Sequence, residues 1–152
     1  MKTPSPIIIG ADHAGYALKE FVKTYLAALN FDVNDCGPGG EDSVDYTDFG
    51  CMVAEGISSG RFERGVLICG TGQGMAMTAN RFCGVRAALC NDLFSAIMSR
   101  RHNNANILVM GGRIIGTELA KEIVRAWLET PFEGGRHQRR IKKIDTLSTK
   151  QA

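Results

Sequence analysis

Three short apolar runs each lead directly into glycine: Ile7-Ile8-Ile9-Gly10, Val66-Leu67-Ile68-Cys69-Gly70 and Ile107–Met110 followed by Gly111. Runs this short, bounded by glycine, read as buried strands. The segments between them have helical periodicity. After the first strand, Leu18, Phe21, Val22, Tyr25, Leu26 and Leu29 recur at the three-and-four spacing of one buried face, with Lys19, Glu20 and Lys23 on the other side. Phe31–Cys36 and Val85–Cys90 supply two more strands. Thr47-Asp48 is the expected cap of a second helix through Met52, Val53 and Ile57, which Gly60 closes with Arg61 and Arg64 near its end. A third helix runs from about Gly74 towards Arg81. Asn91-Asp92 caps a fourth that carries Phe94, Ile97 and Met98 inward and ends in Arg101-His102-Asn103-Asn104. A fifth opens at Gly116 or Thr117, carries Leu119, Ala120, Ile123, Val124, Trp127 and Leu128, and stops at Pro131. Glu133–Ile144 forms a basic C-terminal helical extension, and beyond Asp145 the polar tail reads as frayed, as does the start up to Pro6.

About five strands alternating with helices predict an α/β protein: a Rossmann-like three-layer α/β/α sandwich with a mostly parallel sheet, in a single domain spanning 1–152. A chain of 152 residues has room for one such domain and not for two. Its net charge of +2 is too small to make nucleic acid or an anionic membrane the main partner. No apolar run approaches a membrane span, and the first residues lack the pattern of a secretion signal. The five cysteines (Cys36, Cys51, Cys69, Cys83, Cys90) have no metal spacing, and free thiols in a well-cored domain point to a reducing cytoplasm.

Parallel strands joined by right-handed crossovers share one edge for their C-terminal tips, and ligands bind there. Asp12-His13, Cys69–Gly74 and Arg113 all follow strands, so they belong to that edge. The alternate glycines Gly70, Gly72 and Gly74 allow backbone amides to face negative charge. A dinucleotide fingerprint would need glycine at Met75, a P-loop would need a lysine after Gly74, and a cysteine phosphatase would have arginine where Met75 stands. What remains is a thiol, histidines, arginines and a loop of donors. That set suits proton transfer beside a carbonyl on a phosphorylated small molecule: arginines grip the phosphate, amides stabilise an enediolate, and a thiolate moves the proton. A histidine such as His102 can open a cyclic sugar.

The motifs Gly10-Ala-Asp-His-Ala-Gly15, Asp45-Tyr46, Ile68-Cys-Gly-Thr-Gly-x-Gly-Met75, Ala79-Asn80, Gly84-Val-Arg-Ala87, Ser99-Arg-x-His-Asn103, Ala105-Asn106, Gly112-Arg113 and Glu133-Gly-Gly-Arg-His137 resemble type B ribose-5-phosphate isomerases. The resemblance runs from about Ile7 to Ile144. It implies metal-free, cofactor-free interconversion of ribose 5-phosphate and ribulose 5-phosphate through an enediol, in the non-oxidative pentose phosphate branch. By position, Cys69 matches the proton-shuttling base, His102 the ring-opening group, and Thr71 a residue positioning the reacting end. Asn103 and Asp12 match sugar-oxygen ligands, and Gly70, Gly72, Gln73 and Gly74 the anion hole. His13, Arg113, Arg136, His137 and Arg140 match the residues around the phosphate and the far end of the sugar. Some relatives have serine in place of this cysteine and use a glutamate at the position of Met75; this chain goes with the cysteine-base group. Family members are homodimers, some pairing further into tetramers, with sites built across the interface. The wider family also holds allose- and galactose-6-phosphate isomerases, so a six-carbon substrate is the alternative, as is a non-catalytic sugar-phosphate-binding subunit. Tyr46 either packs or touches substrate, and Arg139, Lys142 and Lys143 read as solvated surface.

Overall fold

The computed structural model describes residues 3–150. Five strands form one sheet in the order β2-β1-β3-β5-β4, every neighbouring pair parallel. They are β1 (Ile7–Ala11), β2 (Val33–Asp35), β3 (Arg64–Cys69), β4 (Ala87–Leu89) and β5 (Ile107–Gly111). The central three have both faces covered, which is why they read as continuous apolar runs. The edge strands β2 and β4 are shorter than their apolar stretches suggest, since each pairs on one side only.

Six helices follow the expected order: α1 (Tyr16–Ala28), α2 (Tyr46–Ser58), α3 (Gln73–Ala79), α4 (Leu93–Arg101), α5 (Thr117–Glu129) and α6 (Arg136–Lys150). One face of the sheet packs on α1, α4 and α5 through Leu18, Val22, Leu26, Ala96, Ile123 and Trp127. The other packs on α2 and α3 through Val53, Ala54, Ile57, Met75 and Ala79. The three-layer α/β/α reading therefore holds.

Several local expectations change. The cap of α2 is Asp45, with extended backbone, one turn-start earlier than Thr47-Asp48. Arg64 is the first residue of β3 rather than a trailing charge of α2, and its guanidinium donates to Leu128 O at 3.0 Å. Phe94, expected to face inward, points outward in the first turn of α4, 71% exposed. Leu119 and Leu29 are likewise exposed, at the start and just past the end of their helices. The tail that reads as frayed past Asp145 continues as helix to Lys150. Residues 1–2 and 151–152, part of the segments expected to be flexible, lie outside the described residues.

The largest reversal is Lys19, expected on the solvent side and found fully buried. Its ammonium reaches Asp35 at 2.7 Å and Glu20 at 2.8 Å, and Lys23 adds a second cation at 2.8 Å from Asp35. The stem crosses from α1 to the end of β2, so the polar head reaches carboxylates while the methylenes stay in the core. Burial opposes charge on Asp35, but hydrogen bonds from Lys19 and Lys23 outweigh it and hold the carboxyl below its ordinary value. Hydrogen bonds from the same two lysines lower Glu20 as well.

A carboxyl with a lowered native pKa contributes stability that is present above the unfolded-state value and lost as pH falls through the native one. Asp35→Asn should therefore cost about 2 kcal/mol at neutral pH, because it strips the buried ammonium of its closest partner. The difference from wild type should shrink as urea denaturation is repeated from pH 6 towards pH 3. A difference that stays constant across that range would show that the charge on Asp35 is not what stabilises.

Candidate active site

The site begins with three backbones that leave the sheet side by side. Asp12 N, just past β1, donates to Ile68 O of β3 at 3.2 Å; Gly112 N donates to Cys69 O at 2.8 Å and Arg113 N to Gly70 O at 3.0 Å. The tips of β1, β3 and β5 are thus stitched into one surface, next to the point where the strand order reverses between β1 and β3. Such close approach requires glycine at particular places. A Cβ on Gly111 would lie 2.7 Å from Thr71 O, and one on Gly112 would lie 2.9 Å from Ala14 O. Gly72 has φ +85°, the left-handed region, and opens α3.

Cys69 is buried, 4% exposed, at the last position of β3. Its Sγ accepts the Gly72 N–H at 3.2 Å. That donor stabilises negative charge on the sulfur, and the first amides of α3 have no acceptor within their own helix. Thr71 is exposed at the rim, its Oγ1 accepting from Gln73 N at 3.3 Å. Asp12 is buried and its carboxylate accepts the Gly15 N–H at 3.0 Å, an Asx-type contact that fixes the carboxylate at the edge. His13 Nδ1 accepts from Val44 N at 3.2 Å, which leaves Nε2 as the donor. The Arg113 side chain lies beside Gly70, where an added Cβ would meet its Nη1 at 3.5 Å.

Asp12, His13, Cys69, Gly70, Thr71, Gly72, Gln73, Gly74 and Arg113 therefore occupy one edge. The rest of the expected set does not join them. His102 caps α4, whose end returns to the opposite edge, where Asn106 leads into β5 and accepts from Gly65 N at 2.9 Å. Asn103 follows His102, and Glu133 N bonds Arg101 O at 3.1 Å, so α6 starts there too. β3 has six residues, and at about 3.3 Å per residue the edges are roughly 20 Å apart.

At that second edge the His102 and His137 rings stack, centroids 4.3 Å apart and planes at 11°. His137 is buried and its Nε2 lies 3.6 Å from Glu133. Burial first, then the charges of His102 and Arg136, outweigh the opposing carboxylate of Glu133 and hold His137 below its ordinary value. One ligand atom each from His102, Glu133 and His137 falls within 4.8 Å. Nearly parallel rings, however, send their in-plane lone pairs along parallel lines, so this arrangement is a stack and not a chelate. Arg136 and Arg140, one helical turn apart on α6, are both exposed beside it.

One contributor escaped the sequence reading. Asn91 Oδ1 accepts from Gly111 N at 2.8 Å and its Nδ2 donates to Thr71 O at 3.3 Å, so one side chain ties the Cys69 loop to β5. Read as half of a helix cap, it gave no sign of that; Asp92 does the capping, accepting Ser95 N at 2.7 Å. Tyr46, expected either to pack or to touch substrate, packs against Gly74, where an added Cβ would meet its ring at 2.6 Å.

A profile of the Ribose/Galactose Isomerase family matches residues 7–144. Ribose-5-phosphate isomerase B of Escherichia coli is 41% identical, over 95% of this chain and 97% of that one. D-erythrulose-4-phosphate isomerase of Pectobacterium atrosepticum is 44% identical over 91% of each. The structure of ribose-5-phosphate isomerase B from Mycoplasma genitalium with bound ribulose-5-phosphate superposes with a TM-score of 0.91, at 40% identity, over 95% of this chain and 96% of that one. The chain belongs to the Ribose/Galactose Isomerase family. It is accordingly an aldose–ketose isomerase.

Asn91→Ala should lower stability by about 1–2 kcal/mol, since it leaves Gly111 N–H without its acceptor in a half-buried position. Asn91→Asp keeps that acceptor and should recover most of the loss in urea denaturation. If both variants lose equally, the Gly111 hydrogen bond is not the source.

Proposed function

We propose that the chain interconverts ribose 5-phosphate and ribulose 5-phosphate, as the non-oxidative pentose phosphate branch requires, with Cys69 as the base. The observation that carries the reading is the Cys69 thiol held under the Gly72 N–H, in a loop of amides at the sheet edge. In the open-chain aldose the C2 proton moves to sulfur as the C1 carbonyl oxygen becomes the enediolate oxygen. The amides of the Gly70–Gly74 loop stabilise that oxygen, with Thr71 at the rim to orient it. Transfer of the O2 proton to O1, with return of the sulfur-held proton to C1, gives the ketose and restores the thiolate. Asp12 and Asn103 bind sugar hydroxyls, His102 moves the proton between ring oxygen and hydroxyl that opens the furanose, and His13, Arg113, Arg136, His137 and Arg140 hold the phosphate end.

One chain cannot supply this set to one substrate, because Cys69 and His102 stand at opposite edges roughly 20 Å apart. A homodimer resolves it: a two-fold axis lays the His102-Asn103 and Arg136–Arg140 edge of one copy over the Cys69 edge of the other, twice. Exposed Met77, Phe94, Leu93 and Leu89 support an apolar contact beside the Cys69 loop, where Leu89 already packs on Gly72. The five free thiols support a cytoplasmic setting.

Cys69→Ala should reduce turnover of ribose 5-phosphate by about a thousandfold. His102→Asn should be comparably impaired alone, yet mixing and reassociating the two proteins should restore activity. Hybrid dimers are half of a random mixture and have one intact site of two, so recovery should approach about 25% of wild type. No recovery despite demonstrated subunit exchange would mean that each site is built from one chain.

His102→Asn should slow ribose 5-phosphate far more than erythrose 4-phosphate, whose esterified O4 cannot close a furanose. Equal slowing in the coupled assay would remove the ring-opening role. The same assay on allose 6-phosphate separates the six-carbon alternative, because a longer sugar shifts the phosphate relative to Cys69.

A further inference from the structure

Where the strands begin, three arginines enter one cleft of about 330 Å³, a volume in the range of small-molecule sites. Arg64 opens β3, Arg86 precedes β4 and Arg100 lies in the last turn of α4. Asn104, Asn106 and Glu63 complete the polar wall.

Each guanidinium is anchored by part of its donor set. Arg64 Nη1 binds Leu128 O at 3.0 Å while the group lies 5.5 Å from the centre of the Trp127 ring. Arg100 stacks against the same indole at 5.6 Å, and its Nη1 donates to Ala105 O at 2.6 Å and Asn104 Oδ1 at 2.9 Å. Arg86 donates to Asn104 O at 3.2 Å and pairs with Asp145 at 3.0 Å. A guanidinium has five N–H donors, so these bonds fix the groups without exhausting them. Arg100, only 7% exposed, has a buried Nε with no acceptor among the described residues.

The charges are also under-compensated. Asp145 is engaged with Arg86, and Glu63 is the one carboxylate in the wall of the cleft. Burial, then the positive fields of Arg64 and Arg86, brings Arg100 down to about 10. Three partly desolvated cations with spare, rigidly forked donors match an oxyanion, which neutralises their repulsion and fills the free N–H groups.

We propose that this cleft binds a small, multiply charged oxyanion of the phosphate class, at a site separate from the substrate residues. None of its lining residues belongs to the set assigned to the sugar phosphate. Asn104 accepts from both Arg86 and Arg100 and directly follows Asn103, so occupancy of the cleft is mechanically linked to the His102-Asn103 turn.

The test is calorimetric titration of inorganic phosphate into the full chain carrying Arg113→Gln, Arg136→Gln and Arg140→Gln, which removes the three arginines proposed for substrate phosphate. About one equivalent per chain should still bind. Adding Arg64→Gln should weaken it at least about tenfold, and Arg64→Lys, which keeps charge but not the fork, should weaken it less. Circular dichroism verifies folding, and the Lys variant preserves the comparison if the Gln variant does not fold. No binding up to about 10 mM in the Arg113/Arg136/Arg140 background, or equal affinity with and without Arg64, overturns the proposal.

Discussion

The candidate site depends on how closely three backbones approach one another past the tips of β1, β3 and β5. Bonds from Asp12 N, Gly112 N and Arg113 N to carbonyls of β3 and its loop draw the chains into contact. Side chains have no room between them: a Cβ at Gly15, Gly111 or Gly112 would overlap a neighbouring backbone atom. This is packing by main chain, so it places N–H groups rather than side chains around Cys69. An amide fixed in a rigid loop stabilises developing charge without first having to reorient, which suits the anionic intermediate proposed for this site. The buried Met75 behind the loop leaves no carboxylate there to compete with the thiol.

The second consequence of the architecture is segregation. In a parallel sheet with right-handed crossovers, each helix brings the chain back to the edge where strands start. The thiol and its amides, with His13 and Arg113, therefore sit at one edge, while the end of α4 and the start of α6 gather His102, His137, Arg136 and Arg140 at the other. The fold thereby separates the residues proposed for proton transfer from those proposed for ring opening and from part of the proposed phosphate set. The proposed head-to-edge dimer is the geometric answer to that separation. Phe94, Leu93, Met77 and Leu89 are exposed apolar side chains. The same segregation concentrates positive charge at the strand-start edge, where Arg64 and Arg100 flank Trp127 with few carboxylates to balance them.

The order of strands and helices was legible because burial on both faces leaves a continuous apolar run and burial on one face leaves a three-and-four stripe. Lys19 shows where that logic fails. A periodic pattern assigns every charge to the solvent side, but a long stem can lie in the core if a distant strand brings a carboxylate within 2.7 Å of its end. Phe94 fails in the opposite direction: apolar character and helical position both send it inward, yet it stands exposed in the first turn of α4. Asn91 was hidden because its two hydrogen bonds run to Thr71 and Gly111, both twenty residues away in the chain.

By itself, the sequence determined the α/β class, the loops that follow β1, β3 and β5, and the identity of the one thiol among them, because these follow from local periodicity and from glycine's freedom of backbone. It also carried the motifs that mark the Ribose/Galactose Isomerase family. The tertiary structure alone decided that the Cys69 and His102 groups stand at opposite edges, with His137 and the α6 arginines beside His102, and that Lys19 is interior. Those are properties of strand order and of contacts between segments distant in the chain, and no local pattern encodes a distance across a sheet.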